Sequence, residues 1–182
     1  MANDRLAARR FPSESASMTI HLLRHGLAAD CGPGIPTDRD RPLTEEGRDK
    51  LAHVAKAMAE MDLGLELILS SPFLRAAQTA GQIADELALR KHLQFCDELA
   101  VDGTPGAVLQ KLDQVRPRPA SVLLVGHEPL LGEIVSMLLT GRTGLSLVFK
   151  KAGLARISAP RPRPGEGTLE WLLTPKQLAR MA

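Results

Sequence analysis

A short apolar run near the amino terminus ends abruptly in Arg24-His25-Gly26. The run covers about residues 19–23, and its length and its turn-forming end predict a buried β-strand. The carboxyl end of such a strand is the edge at which open α/β sheets bind ligands, and Gly26 permits a sharp turn there. A guanidinium beside an imidazole at this edge predicts an anion site with a nucleophile or base. A three-residue motif also occurs by chance, so the prediction depends on the rest of the chain.

Strands and helices alternate along most of the sequence. The predicted strands are 19–23, 65–70, 92–95, 121–125, 145–149, 154–158 and 168–173. One helix is predicted to begin after the N-cap Thr44, and a second after the N-cap Ser71, with Pro72 as its first residue. Two more helices are predicted to begin at residue 105 and at Pro129, and a terminal helix is predicted over 175–181. This alternation predicts an α/β three-layer sandwich with a mainly parallel central sheet flanked by helices. The last two strands flank a Pro/Gly-rich turn, which predicts an antiparallel C-terminal hairpin.

Length and composition predict one domain over residues 18–182, because 182 residues with 44% hydrophobic content can bury a sizeable core. Residues 1–17 lack the apolar segment of a secretory signal and are predicted to be a disordered N-terminal extension. Aromatic residues make up only 3% of the chain, too few for a base-stacking platform, so we expect no nucleic-acid partner. No apolar run has the length of a membrane helix, so we expect no membrane association.

The cysteines and the charge distribution indicate the compartment and the surface. Cys31 and Cys96 belong to no Cys-x-x-Cys motif, so no structural metal site is predicted. Two separate thiols fit a reducing compartment, which predicts a cytoplasmic protein. A single disulfide between the two cysteines is the alternative. Residues 150–182 hold seven Lys/Arg and two Asp/Glu. A segment of this kind is most often solvated surface, and the docking of an acidic partner is the alternative.

Several basic residues are predicted to converge at one edge of the sheet. Arg24 and His25, Arg41, Arg75 and His127 each lie on a loop or helix start near the carboxyl end of a predicted strand. Alone, Arg41 fits a surface ion pair and His127 fits a helix cap or a buried structural histidine. Their joint placement instead predicts an anion site that contains two histidines.

Four motifs in this order resemble the histidine phosphatase superfamily, whose fold is phosphoglycerate mutase-like. The motifs are Leu-Leu-Arg24-His25-Gly26, Arg41-Pro-Leu-Thr-Glu-Glu-Gly47, Ser70-Ser-Pro-Phe-Leu-Arg75-Ala-Ala-Gln-Thr79 and Val125-Gly-His127-Glu-Pro129. Within the superfamily, the compact SixA-type phosphohistidine phosphatases are the most similar. They share the second and third motifs, the short length and a C-terminal Trp followed by Pro, as in Trp171 and Pro175. The resemblance covers about residues 18–175.

The resemblance implies a phosphatase that forms a covalent phosphohistidine intermediate on His25. A neutral imidazole suits this role because it needs no activating base at pH 7. The implied substrate-binding residues are Arg24, Gly26, Arg41, Arg75 and His127. Arginine forks bind phosphoryl oxygens in pairs, and a protonated His127 would stabilise the transition state. The resemblance implies no metal and no other cofactor.

The general acid is where the sequence departs from the larger relatives. Phosphoglycerate mutases and sugar bisphosphatases carry Leu-x-Glu-x-x-x-Gly, and that Glu protonates a leaving alkoxide. Here Glu98 precedes Gly103 by five positions and the helical insertion is missing, so Glu98 is at most a weak acid. An imidazole leaving group needs less help than an alkoxide. We therefore expect a phosphohistidine-bearing protein, such as a histidine-phosphotransfer domain, as the partner in preference to a small phosphorylated molecule.

Two other functions stay open at this point. One is a phosphatase of small phosphate esters, nucleotides or polyphosphate that uses Glu98 or Asp97 as its acid. The other is a non-catalytic phosphate-binding module that keeps the fold. A phosphoglycerate mutase is disfavoured because the acid and its insertion are missing. The family resemblance implies a monomer.

Overall fold

Six strands form one sheet in the computed structural model, which describes residues 17–182. The strands are β1 (Met18–Arg24), β2 (Leu67–Ser70), β3 (Leu93–Phe95), β4 (Ser121–Gly126), β5 (Leu154–Ala159) and β6 (Thr168–Leu173). The helices are α1 (Glu45–Glu60), α2 (Leu74–Glu86), α3 (Pro105–Gln114), α4 (Leu130–Thr140) and α5 (Pro175–Leu178). The extension predicted over residues 1–17 lies outside the described residues, apart from Ser17.

The order of the strands places the amino-terminal strand near the centre of the sheet. The order is β3-β2-β4-β1-β5-β6. The pairs β1–β4, β2–β4 and β2–β3 are parallel, and β1–β5 and β5–β6 are antiparallel. The carboxyl ends of β1, β2 and β4 therefore share one edge with the start of β5 and the end of β6. The predicted mainly parallel sheet with an antiparallel C-terminal hairpin is confirmed.

Two apolar cores cover the two faces of the sheet. Ile20 and Leu22 of β1 belong to the core under α3 and α4. Leu23 belongs to the opposite core under α1, α2 and α5. Side chains of a strand alternate between its faces, so a strand buried on both sides is apolar throughout. This arrangement confirms the three layers.

Local structure differs from the sequence prediction in several places, and β2 begins at Leu67, two residues later than predicted. Residues 145–149 form no strand: they lie outside the six-stranded sheet, and Leu145 and Val148 are exposed instead of packing on a sheet face. Helix α2 begins at Leu74 with Phe73 as its cap, not at Pro72. Helix α5 ends at Leu178, earlier than predicted.

Both cysteines are free thiols, with Cys31 exposed and Cys96 buried. Within residues 17–182 no helix is long and apolar enough to cross a membrane.

Candidate active site

His25 lies directly after β1, and its ring has one defined tautomer. Its backbone N–H donates to the Gly126 carbonyl of β4 (3.0 Å), which fixes the chain at this point. Its Nδ1 lies 2.7 Å from the Gly26 carbonyl oxygen. A carbonyl oxygen can only accept, so Nδ1 carries the hydrogen and Nε2 keeps a lone pair. The side chain is therefore oriented as a nucleophile or a base.

The charge state of His25 also suits nucleophilic attack. Burial is the largest influence and lowers the pKa of His25 to about 3, against the Gly26 hydrogen bond, which raises it. The nearby positive charges of Arg75 and Arg24 lower the pKa further. His25 is thus neutral at pH 7, and its unprotonated Nε2 accepts a hydrogen bond from Arg75.

Arg75 lies in the first turn of α2 and reaches the nucleophilic nitrogen. Its Nε donates to Nε2 of His25 (3.3 Å), and the residue is only 4% exposed. The other two nitrogens donate to Asp38, one to its carbonyl (2.6 Å) and one to its carboxylate (2.9 Å). A buried guanidinium in this position can hold an anion against His25.

Asp38 is a site residue that the sequence did not single out. It lies in the loop before α1 and pairs with both Arg75 and Arg41. The hydrogen bond from Arg41 is the largest cause of the lowered pKa of Asp38, so the carboxylate is ionised at pH 7. The same loop carries Asp30 and Asp40, and no spacing distinguishes the three acids in the sequence.

The structure does not bring Arg41 into contact with His25. Its Nε donates to the Ala29 carbonyl (2.6 Å), and its two other donors reach Asp38 (2.8 Å) and Asp30 (3.2 Å). Arg41 therefore acts on the site through Asp38. A direct contact with phosphoryl oxygens remains a prediction.

His127 follows β4 and faces His25, with 5.0 Å between the ring centroids. Its Nε2 is hydrogen-bonded to the Ser71 hydroxyl (2.8 Å). Its Nδ1 is buried and has no hydrogen-bond partner among the described residues. Burial, helped by the charge of Arg75, lowers the pKa of His127 to about 4. A negative group bound beside it would raise this pKa again.

Arg24 places a second guanidinium at the same edge. One terminal nitrogen donates to the Phe149 carbonyl (2.7 Å), which anchors the side chain. Its Nε is buried without a hydrogen-bond partner among residues 17–182. Buried polar atoms are normally hydrogen-bonded, so the unpartnered Arg24 Nε and His127 Nδ1 indicate a place for a polar ligand.

Ser71 and Thr79 support these groups. The Thr79 hydroxyl donates to the Arg75 carbonyl (2.7 Å) and accepts from the Gly26 N–H (3.1 Å), so it joins α2 to the loop after β1. Gly26 thus uses its N–H and its carbonyl inside the protein, and its place in substrate binding remains a prediction. The Ser71 hydroxyl also accepts from the Phe73 N–H (3.3 Å), so it joins His127 to the turn that precedes α2.

Glu98 stays apart from these side chains. Its carboxylate accepts from Cys96 Sγ (3.1 Å) and lies 3.9 Å from Lys111 Nζ. Its own backbone N–H is the largest cause of a lowered pKa, which keeps Glu98 ionised at pH 7. Among the described residues, no group of three or more His, Cys, Asp or Glu is arranged to hold a metal ion.

Comparison with known proteins identifies the class to which this fold and site belong. A model of the histidine phosphatase superfamily (branch 1) matches residues 20–100. An uncharacterised protein of Picosynechococcus is 41% identical over 138 residues, which are 75% of this chain and 82% of that protein. The chain belongs to the histidine phosphatase superfamily, has the phosphoglycerate mutase-like fold and is a phosphatase.

One named group within the superfamily recurs among the similar proteins. The phosphohistidine phosphatase SixA of Escherichia coli is 32% identical over 162 residues, which are 88% of this chain and 96% of SixA. A solved structure of the protein histidine phosphatase SixA complexed with tungstate superposes with a TM-score of 0.78 at 33% identity, covering 88% of this chain and 99% of that one.

Proposed function

We propose that this phosphatase removes the phosphoryl group from phosphohistidine on a protein, through a covalent phosphohistidine intermediate on His25. The observation that carries the proposal is the His25 ring, whose Nδ1 hydrogen is fixed by the Gly26 carbonyl while Arg75 approaches the Nε2 lone pair. Two similar proteins bear the name of phosphohistidine phosphatases, which supports the same substrate class.

In the first step, Nε2 of His25 attacks phosphorus and the phosphorus–nitrogen bond of the substrate breaks. The bonding pair returns to the substrate ring, whose other nitrogen carries a proton, so a neutral imidazole leaves. Arg24 and Arg75 hold the phosphoryl oxygens, because catalysis of phosphoryl transfer is mainly positioning and charge stabilisation. The bound phosphoryl charge raises the pKa of His127, and its proton then stabilises the transition state.

In the second step, water attacks phosphorus on His25. The phosphorus–nitrogen bond breaks, its electron pair returns to Nε2, and inorganic phosphate leaves. The enzyme regains its neutral nucleophile without a redox or metal step.

The leaving group decides between phosphohistidine and ordinary phosphate esters. An imidazole with a pKa of about 6.5 departs with little help, whereas an alkoxide needs a proton donor. Glu98 and Asp38 are both held ionised by their neighbours, and an ionised carboxylate cannot donate a proton. The site is therefore better suited to phosphohistidine.

Hydrolysis of phosphate esters is the second candidate function, and Glu128 is the residue that favours it. Burial raises the pKa of this half-buried carboxyl, which follows His127 directly and interacts with the charge of Arg24. Its Oε1 accepts from the Gly132 N–H (2.9 Å). If esters are the substrate, E128Q removes the acid and lowers ester turnover more than E98Q does.

A direct comparison of two substrates tests the proposal. The protein is incubated in EDTA with a histidine-phosphotransfer domain phosphorylated by phosphoramidate and, separately, with p-nitrophenyl phosphate. We expect much faster cleavage of the phosphoprotein, and no cleavage by H25A. Cleavage of the ester alone would contradict the proposal and favour the second candidate, and cleavage of neither would favour a non-catalytic phosphate-binding module.

A further inference from the structure

A pocket of about 560 Å³ opens beside Arg24, at the sheet edge that carries His25. Its apolar walls include Leu27, Ala152 and Pro175. Its rim carries four lysines, which are Lys50, Lys150, Lys151 and Lys176. Arg24 lines this pocket and also belongs to the candidate active site, so the pocket adjoins the end of the strand that carries His25.

The rim carries positive charge that the described residues leave largely unpaired. Lys150, Lys151 and Lys176 are exposed, and none of them forms an ion pair with a described residue. Lys50 alone is paired, with Glu46. Like charges gathered around an apolar cavity repel one another and attract an anionic partner.

The turn that carries two of these lysines is attached to the active-site strand. The Ala152 N–H lies within hydrogen-bond distance of the Arg24 carbonyl (3.0 Å) and the His25 carbonyl (3.1 Å). The Gly153 carbonyl accepts from the Arg24 N–H (3.1 Å). The backbone of the turn that carries Lys150 and Lys151 is therefore fixed to the strand that carries the nucleophile.

The pocket continues along the surface as a groove. A second cavity of about 300 Å³ shares Lys50, Pro175 and Lys176 with the first. It extends to His53 on α1 and to Ala179, which follows α5. We call the two cavities together the lysine groove. An elongated groove with apolar walls and a charged rim fits an extended segment of chain better than a compact small molecule.

We propose that the lysine groove docks an acidic segment of the phosphoprotein substrate. An apolar side chain of the segment enters the cavity beside Arg24, and flanking carboxylates pair with Lys150, Lys151 and Lys176. The proposal rests on the proposed function, because it assigns the groove to the protein that carries the phosphohistidine. It also gives the basic C-terminal region of the sequence a specific role.

Two matched peptides test this docking. Each carries a central histidine phosphorylated by phosphoramidate and flanking leucines; one has Asp and Glu on both sides, and the other has Asn and Gln at those positions. We expect the protein to cleave the acidic peptide with a kcat/KM about tenfold higher, since three exposed charge pairs together contribute about that factor. The difference should lie in KM and shrink at high salt.

The variant K150Q/K151Q/K176Q removes the unpaired charges of the groove. It should lose the preference for the acidic peptide while it cleaves the amide peptide as the unmodified protein does. The control K56Q/K91Q/R118Q removes the same charge outside the groove and should keep the preference. A preference that survives in the groove variant, or an equal loss on both peptides, would contradict the proposal.

Binding separates failure of the groove from failure of the proposed chemistry. Fluorescence anisotropy with the unphosphorylated, labelled acidic peptide should show binding to the protein and to the control, and at least tenfold weaker binding to the groove variant. If neither peptide is hydrolysed, the proposed function fails, but this binding result still decides the groove. Lysine-dependent binding of tripolyphosphate without any preference for the acidic peptide would overturn the proposal in favour of a small polyanion.

Discussion

At the residue scale, the hydrogen bond between Ser71 and His127 orients the second histidine of the site. The Ser71 hydroxyl lies 2.8 Å from His127 Nε2. We expect S71A to fold normally and to lower kcat by about tenfold, because the imidazole loses the bond that positions it. The control is S70A, since the Ser70 hydroxyl donates to a backbone carbonyl and does not touch His127. Equal kcat values for S71A and the unmodified protein would show that this bond is unimportant.

Asp38 competes at the residue scale with any anion that Arg75 binds. Its carboxylate lies 2.9 Å from a terminal nitrogen of Arg75. We expect D38N to bind inorganic phosphate about three- to tenfold more tightly, because one negative charge leaves the site. Inhibition constants for phosphate measure the effect. D40N is the control, because Asp40 accepts a hydrogen bond from Thr37 and forms no ion pair with an arginine among residues 17–182. Weaker phosphate inhibition of D38N would mean that Asp38 mainly positions Arg75.

The site residues that could be predicted from the sequence are arginines and histidines at the ends of predicted strands or the starts of predicted helices. Arg24, His25, Arg75 and His127 follow buried strands or begin helices, so topology alone brings them to one edge. Asp38 could not be predicted in the same way. Its role depends on how the loop before α1 packs against α2. Neither hydrophobic periodicity nor motif spacing predicts the conformation of such a loop.

At the element scale, Gly47 allows α1 to lie against the loop that follows His25. A Cβ at this position would come within 2.2 Å of the Leu27 carbonyl oxygen. We expect G47A to destabilise the protein by about 1–3 kcal/mol, because the helix must move away from the backbone it touches. Activity should fall as well, since Leu27 continues the catalytic loop.

The control for this helix contact is G106A, near the start of α3. In the part of the chain that the structure describes, no atom lies within 4 Å of a Cβ built at Gly106. Alanine has the higher helix propensity, so G106A should be neutral or slightly stabilising. Urea unfolding of both variants measures the difference. A G47A variant as stable as G106A would mean that α1 does not need this close approach.

A strand could be predicted where its own apolar run indicates burial on both faces. It could not be predicted where strand formation depends on pairing with other segments of the chain. The apolar run of β4 is buried at all six positions, and such a run specifies a central strand. Residues 145–149 carry similar side chains, yet they lie outside the sheet and leave Leu145 and Val148 exposed. The sequence predicted the parallel sheet and its terminal hairpin but not the order of the strands.

At the scale of the whole molecule, three buried histidines couple stability to pH. Burial lowers the pKa of His21 to about 4, of His25 to about 3 and of His127 to about 4. Above pH 6.5 both the folded and the unfolded chains hold these groups neutral. Below pH 6.5 the histidines of the unfolded chain bind protons, whereas the buried histidines of the folded chain stay neutral. The free energy of unfolding therefore decreases as the pH falls.

His21 lies away from the reaction and isolates this effect. It is fully buried near Trp171, with a ring centroid distance of 6.0 Å. We expect H21Q to lessen the pH dependence of unfolding by up to about 1.4 kcal/mol per pH unit between pH 6 and 4.5. Urea unfolding across this range measures the slope, which is independent of any constant loss of stability. An unchanged slope would show that His21 takes up a proton equally in both states.

Capture of the phosphohistidine intermediate on His25 tests the proposed covalent mechanism most directly. The protein is mixed with a phosphohistidine peptide, quenched in alkali within one turnover and digested for mass spectrometry. We predict a phosphoryl group on His25 that survives alkali and is lost in acid, and no label in H25A. Turnover without label on His25, or with the label on another residue, would contradict the account.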